Sequence, residues 1–298
     1  MFRGTGTALI TPFRDGAVDF DALESLLNFQ VESGVDALVV LGTTGEAATM
    51  TPAERDEVIS FALATVAGRI PVIIGTGTNC TATTIDLSRR AEELGADGVL
   101  VVTPFYNKPT QEGLYQHFKT VAESINIPVI LYNVPGRTGC NLLPETVLRL
   151  TSVPNIVGVK EASGNQYQCD SLLRSLAVVR PDFCVYSGND DQAFHLVCSG
   201  GDGVISVLSN IMPAEVCAMM NAALGGDLES ARALHLRMLP LMKDLFVESN
   251  PIPVKFAASE LGMCRDELRL PLVCAAESTR EIVRADLLEL DLLEQEDE

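Results

Sequence analysis

The chain is poor in side chains that bind metals or polyanions. It has three histidines and five lysines in 298 residues. The histidines fall at neither HxxxH nor HxxE spacing, which leaves a protein-bound transition metal without a ligand set. The eight cysteines (Cys80, Cys140, Cys169, Cys184, Cys198, Cys217, Cys264 and Cys274) are scattered, with no CxxC pair and no metal-finger spacing. They read as reduced core or helix residues of a cytoplasmic protein. No apolar run approaches the ~18–20 residues of a membrane span. The first residues, MFRGTGTALITPF, lack the basic segment and long apolar core of a secretory signal. A net charge of −19 excludes nucleic acid as the expected partner. An anionic metabolite would gain nothing from that global field, so local cations would have to hold it. Seven carboxylates lie in Asp286–Glu298, an acidic tail read as a solvated helix face and chain end.

What the chain does have is a repeat. GVDALVV (Gly34–Val40), GADGVLV (Gly95–Val101) and GGDGVIS (Gly200–Ser206) share a glycine, an aspartate and an apolar strand. Each glycine is placed to cap the preceding helix in a left-handed conformation. The Val- and Ile-rich runs suit strands buried on both faces. Eight such strands are expected, at Thr5–Ile10, Val35–Leu41, Pro71–Gly75, Gly98–Val102, Pro128–Tyr132, Ile156–Lys160, Phe183–Ser187 and Gly203–Val207. Helical spacing fills the gaps, with a capping-box start at TPAE (Thr51–Glu54). Alternation of this kind predicts an α/β fold with a parallel sheet, and eight units predict a (β/α)8 TIM barrel over residues 1–224. Residues 225–298 read as a C-terminal helical extension with the acidic tail. An open doubly wound sheet competes, but GTGTN (Gly75–Asn79) lacks the third glycine of a dinucleotide fingerprint.

Barrel chemistry collects at the C-terminal ends of the strands. Those ends carry GTTGE (Gly42–Glu46), TPFYNKP (Thr103–Pro109), YNVPGRTG (Tyr132–Gly139), Lys160 and SGND (Ser187–Asp190). A lysine desolvated inside a barrel keeps a neutral amine, which can attack a keto-acid carbonyl and form a Schiff base. Tyr132, from the neighbouring strand, is placed to shuttle protons. Thr43 and Thr44 offer hydroxyls and turn N–H groups to one carboxylate, and Arg137 offers a bidentate fork to another. Any one of these alone is more often ordinary packing or surface; their coincidence on one barrel face favours Lys160 as nucleophile. Lys255, in NPIPVKFA, follows the barrel strands and is expected to be structural or on the surface.

These motifs, with GVKEASGN and GVISV, resemble the dihydrodipicolinate synthase family. It belongs to the pyruvate-dependent Schiff-base aldolase and lyase superfamily that includes N-acetylneuraminate lyase. The resemblance runs from Gly4 to about Arg284. It implies a Schiff base between Lys160 and pyruvate, and a proton relay of Tyr132, Thr43 and Tyr106, the last reaching in from a partner subunit. It further implies that Thr43 and Thr44 hold the pyruvate carboxylate and that Ile205 lines the site through its backbone. Arg137 would hold L-aspartate 4-semialdehyde, for condensation to 4-hydroxy-tetrahydrodipicolinate in lysine and diaminopimelate synthesis. Neither metal nor cofactor is implied. A homotetramer built as a dimer of dimers is. Lysine-inhibited members carry histidines, a glutamate and a tyrosine where this chain has Pro52, Arg55, Thr83 and Phe105, while Asn79 is kept. Weak or absent lysine inhibition is therefore expected. Two alternatives stay open: a related lyase or aldolase acting on a sugar acid or hydroxy-keto acid, and a catalytically silent keto-acid-binding barrel.

Overall fold

The computed structural model describes residues 1–294. The last four residues of the acidic tail, 295–298, lie outside the described residues. Eight parallel strands close into a barrel: β1 Gly4–Ala8, β2 Ala37–Val40, β3 Val72–Gly75, β4 Gly98–Val102, β5 Val129–Asn133, β6 Ile156–Glu161, β7 Cys184–Ser187 and β8 Gly203–Ser206. All eight expected strands are present, with ends displaced by at most two residues. Closure comes from β1, which pairs with β8 on one side and β2 on the other. Two features went unforeseen. One is a small hairpin, Phe13–Arg14 with Ala17–Val18; the other is the short helix Pro135–Thr138 after β5.

Side chains alternate across each strand. The outward set (Leu38, Val72, Val99, Leu131 and Val159 among others) joins the main core beneath the helices. An inward set of Ala37, Val39, Ile73, Leu100, Ile130, Tyr132, Tyr186 and Ile205 fills the barrel. Phe2 plugs the barrel, stacked 4.3 Å from Tyr186, whose hydroxyl donates to the Phe2 carbonyl at 2.6 Å.

The repeat has a structural purpose. Gly34, Gly95 and Gly200 all take left-handed φ, as expected. The aspartate two residues later then bonds twice to the adjacent strand. Asp36, Asp97 and Asp202 each accept from the backbone N–H of Thr5, Val72 and Val185 respectively, every time at 2.8 Å. Their own N–H groups donate back to the carbonyls of the same three residues. Each aspartate is thus a two-point clamp at the N-terminal end of a strand pair.

Helices α1 Phe20–Glu32, α2 Pro52–Val66, α3 Thr81–Leu94 and α4 Gln111–Ala122 come first. After the short α5 Pro135–Thr138 follow α6 Pro144–Leu150, α7 Gln166–Val179, α8 Asp190–Cys198 and α9 Pro213–Gly225. The expected capping box is formed: Glu54 N–H donates to the Thr51 hydroxyl and Thr51 N–H to the Glu54 carboxylate. Three more helices, α10 Leu228–Asp244, α11 Ile252–Glu260 and α12 Glu277–Glu289, follow the strands, with α10 lying against α8 and α9. No described helix is long and apolar enough to cross a membrane.

Asp286 on α12 is buried, with Oδ2 unpartnered. Burial, then the nearby Asp244 of α10, raise its pKa to about 6. A carboxyl raised in the fold costs stability as pH climbs from its unfolded value through about 6. Asp286→Asn should therefore raise the melting temperature at about pH 8, with the gain vanishing near pH 4. Equal gains at both pH values in thermal melts would contradict this.

Candidate active site

At the C-terminal end of the barrel a cavity of about 440 Å³ opens beside Thr43, Tyr132, Arg137 and Asn250. Lys160 does not line it, but lies directly behind Tyr132, which does. The two are direct cross-strand partners in the β5–β6 register, and Tyr186 flanks Lys160 on the other side. The Lys160 Nζ lies 4.7 Å from the centroid of the Tyr132 ring. Only 4% of Lys160 is exposed. Gly188, on the turn after β7, makes room for the lysine stem: a Cβ there would come within 2.9 Å of the Lys160 Cε.

Burial sets the electrostatics. Desolvation pushes the Lys160 amine down to about 8, Asp190 opposes that shift, and Arg137 adds to it. The Tyr132 phenol is pushed up to about 12 by burial, with Arg137 pulling the other way. Near pH 7 roughly a tenth of the amine is therefore neutral while the phenol stays protonated, which supplies a nucleophile beside a proton donor. Asp190, at the start of α8, was not singled out from sequence. It is 2% exposed, and its Oδ2 accepts from Val207 N–H at 2.9 Å and Leu208 N–H at 3.1 Å. Its position in SGND at a strand end was the available signal.

The remaining expected residues fall at different distances from the chemistry. Thr43 lines the cavity. Thr44 is buried behind it, its hydroxyl accepting from the Asn250 side chain at 2.9 Å. Arg137 lies on the cavity wall and donates to the Asn250 carbonyl at 3.0 Å. Asn250, just before α11, thus joins two expected site residues; it opens the motif NPIPVKFA, which was read for Lys255 and not for this asparagine. Ile205 packs inside the barrel with Tyr132 and is fully buried. Tyr106 does not line the cavity, although its neighbour Phe105 does; it is 88% exposed, on a left-handed backbone with φ of 72°.

Lys255 takes the structural half of its expectation and not the surface half. It is not on the surface: it is wholly buried, paired with Glu46 of GTTGE at 2.5 Å, and donates to the Glu267 carbonyl at 2.8 Å. Arg55, also on the cavity wall, is held by the carbonyls of Ala47 and Gly75 at 3.3 and 2.9 Å.

The chain has relatives among known proteins in both sequence and fold. A 4-hydroxy-tetrahydrodipicolinate synthase of Kosmotoga olearia is 61% identical over 98% of this chain and all of its own. The crystal structure of dihydrodipicolinate synthase from Thermotoga maritima matches at a TM-score of 0.97 and 52% identity, covering 98% of this chain and 100% of that one. The enzyme from Acinetobacter baumannii, solved in complex with pyruvate, matches at a TM-score of 0.95 and 44% identity, over 98% and 100% of the two chains. The model of the dihydrodipicolinate synthetase family matches residues 1–290. With its closed barrel, the chain belongs to that family.

Proposed function

We propose that this chain condenses pyruvate with L-aspartate 4-semialdehyde to 4-hydroxy-tetrahydrodipicolinate. The observation that carries the reading is the Lys160–Tyr132 pair: a buried amine lowered to about 8, in register with a phenol on the wall of a cavity that also holds a guanidinium. The neutral amine attacks the pyruvate C2 carbonyl, and water leaves as the imine forms. Tyr132 carries the proton that the departing hydroxyl needs. Loss of a C3 proton gives the enamine, whose C3 attacks the aldehyde carbon. The amino group of the second substrate then closes on C2 and expels Lys160. Thr43 and Thr44 hold the pyruvate carboxylate, Ile205 contributes backbone to the site, and Arg137 holds the carboxylate of the semialdehyde.

Tyr106 completes the relay in a partner's site. Its 88% exposure and its absence from the lining of this chain's own cavity support that role, and the assembly read with it is a homotetramer built as a dimer of dimers. Residues 1–224 form the catalytic barrel and 225–298 its helical extension. The enzyme works in the cytoplasm on small molecules, with no metal or cofactor.

Feedback by lysine is weak or absent. Pro52, Arg55, Thr83 and Phe105 replace the groups that would receive the effector, and Arg55 puts a guanidinium on the cavity wall. A cation there repels a second ammonium. A coupled assay with both substrates tests the reading and its regulation together. Turnover undiminished in millimolar lysine is expected. No turnover by folded protein sinks the assignment, and half-inhibition below millimolar lysine sinks the regulatory part alone.

A further inference from the structure

Behind the reacting pair the outward faces of β5 and β6 change character. Leu131 and Val159, one position earlier, are apolar core residues. The next outward positions are Asn133 and Glu161, 0% and 2% exposed. They are register partners, one step beyond Tyr132 and Lys160. The Asn133 amide donates to both Glu161 oxygens, at 3.3 and 3.0 Å. Glu161 also accepts from Ser163 N–H at 2.6 Å and from the Gln168 amide at 3.1 Å. Among the described residues no ion pair includes this carboxylate. Burying one without a cation costs more than an apolar residue of the same size would, so stability alone is a poor reason for it.

Asn133 has a second task. Its Oδ1 accepts from Leu142 N–H at 2.9 Å, and its amide donates to Asn141 Oδ1 at 2.8 Å. Asn141 in turn donates to Gln168 at 2.8 Å. The loop carrying Arg137 leaves the barrel just after Asn133 and returns to bond with it. One buried network therefore fixes the ends of both reactive strands and the base of that loop.

We propose that Glu161 and Asn133 are a positioning pair for the condensation, holding Lys160 and Tyr132 in register and Arg137 over the cavity. The inference rests on the reading of Lys160 as Schiff-base nucleophile. In Glu161→Gln, an amide replaces one acceptor oxygen in a shell of donors. In Asn133→Asp, one carboxylate is set against another. Each change should lower kcat about 10- to 100-fold through misplacement of the reacting groups, with the trapping rate by pyruvate and borohydride falling in parallel. The combined Glu161→Gln, Asn133→Asp protein exchanges donor and acceptor across the pair and should recover most of the loss. A merely structural role would lower the melting point and leave kcat of the folded protein unchanged. Single variants within about twofold of the parent kcat would overturn the proposal, as would losses that multiply in the double variant. The parent protein separates the two claims: if borohydride and pyruvate leave it unmodified, the Schiff-base reading itself has failed.

Discussion

Lys160→Ala should abolish the covalent adduct that pyruvate and borohydride are expected to leave on the parent protein, and turnover should disappear with it. The reason is quantitative. An amine at its ordinary pKa of 10.5 is almost wholly protonated at neutral pH; lowered to about 8, its neutral fraction is higher by roughly 300-fold. No other lysine has that setting. Lys255 is equally hidden, but its amine is bonded to Glu46 and to the Glu267 carbonyl. In the parent, trapping should accelerate as pH rises through about 8 and level off roughly a unit or more above it, where deprotonation nears completion. Intact-mass spectrometry reads both results. An adduct of equal yield on the alanine variant would assign the chemistry to another amine.

The largest expected loss of stability lies at that second lysine. Lys255→Met leaves Glu46, 4% exposed, without its cation. Breaking a buried pair from one side costs about 3–5 kcal/mol. For a chain of this size that is a fall in melting temperature of roughly 5–8 °C. Removing both charges, Glu46→Gln with Lys255→Met, should restore most of it, since the penalty belongs to the orphaned carboxylate. Glu46 also holds the left-handed corner of the GTTGE turn, at φ 52°, with its N–H donating to the Thr43 carbonyl at 3.1 Å. The single variant should therefore lose pyruvate affinity as well. Calorimetry showing the single and double variants equally destabilised would remove the ion pair from this account.

The barrel was legible because its strands are buried on both faces, so that GVLVV and VILYN stand out as apolar runs between glycines and capped helices. Lys160 was legible for the converse reason: it is a cation at the end of such a run. What escaped the sequence depends on contacts far apart in the chain. The Asn250–Thr44 bond spans 206 positions, and no local pattern announces it. Lys255 looked like a structural or surface lysine because its partner Glu46 belongs to a motif read for its threonines. The Phe13–Val18 hairpin has two residues per strand, too few for any alternation to appear. Asp190 and Glu161 resemble ordinary polar residues beside turns until their burial is known.

The three aspartate clamps at the opposite mouth of the barrel bear on how such a protein can change over evolutionary time. Asp36, Asp97 and Asp202 secure strand pairs from the end that substrate never meets. Loops at the reactive mouth can then be lengthened, shortened or re-lettered without loosening those joints. A scaffold divided in this way can be recruited to a new aldehyde by altering one rim alone.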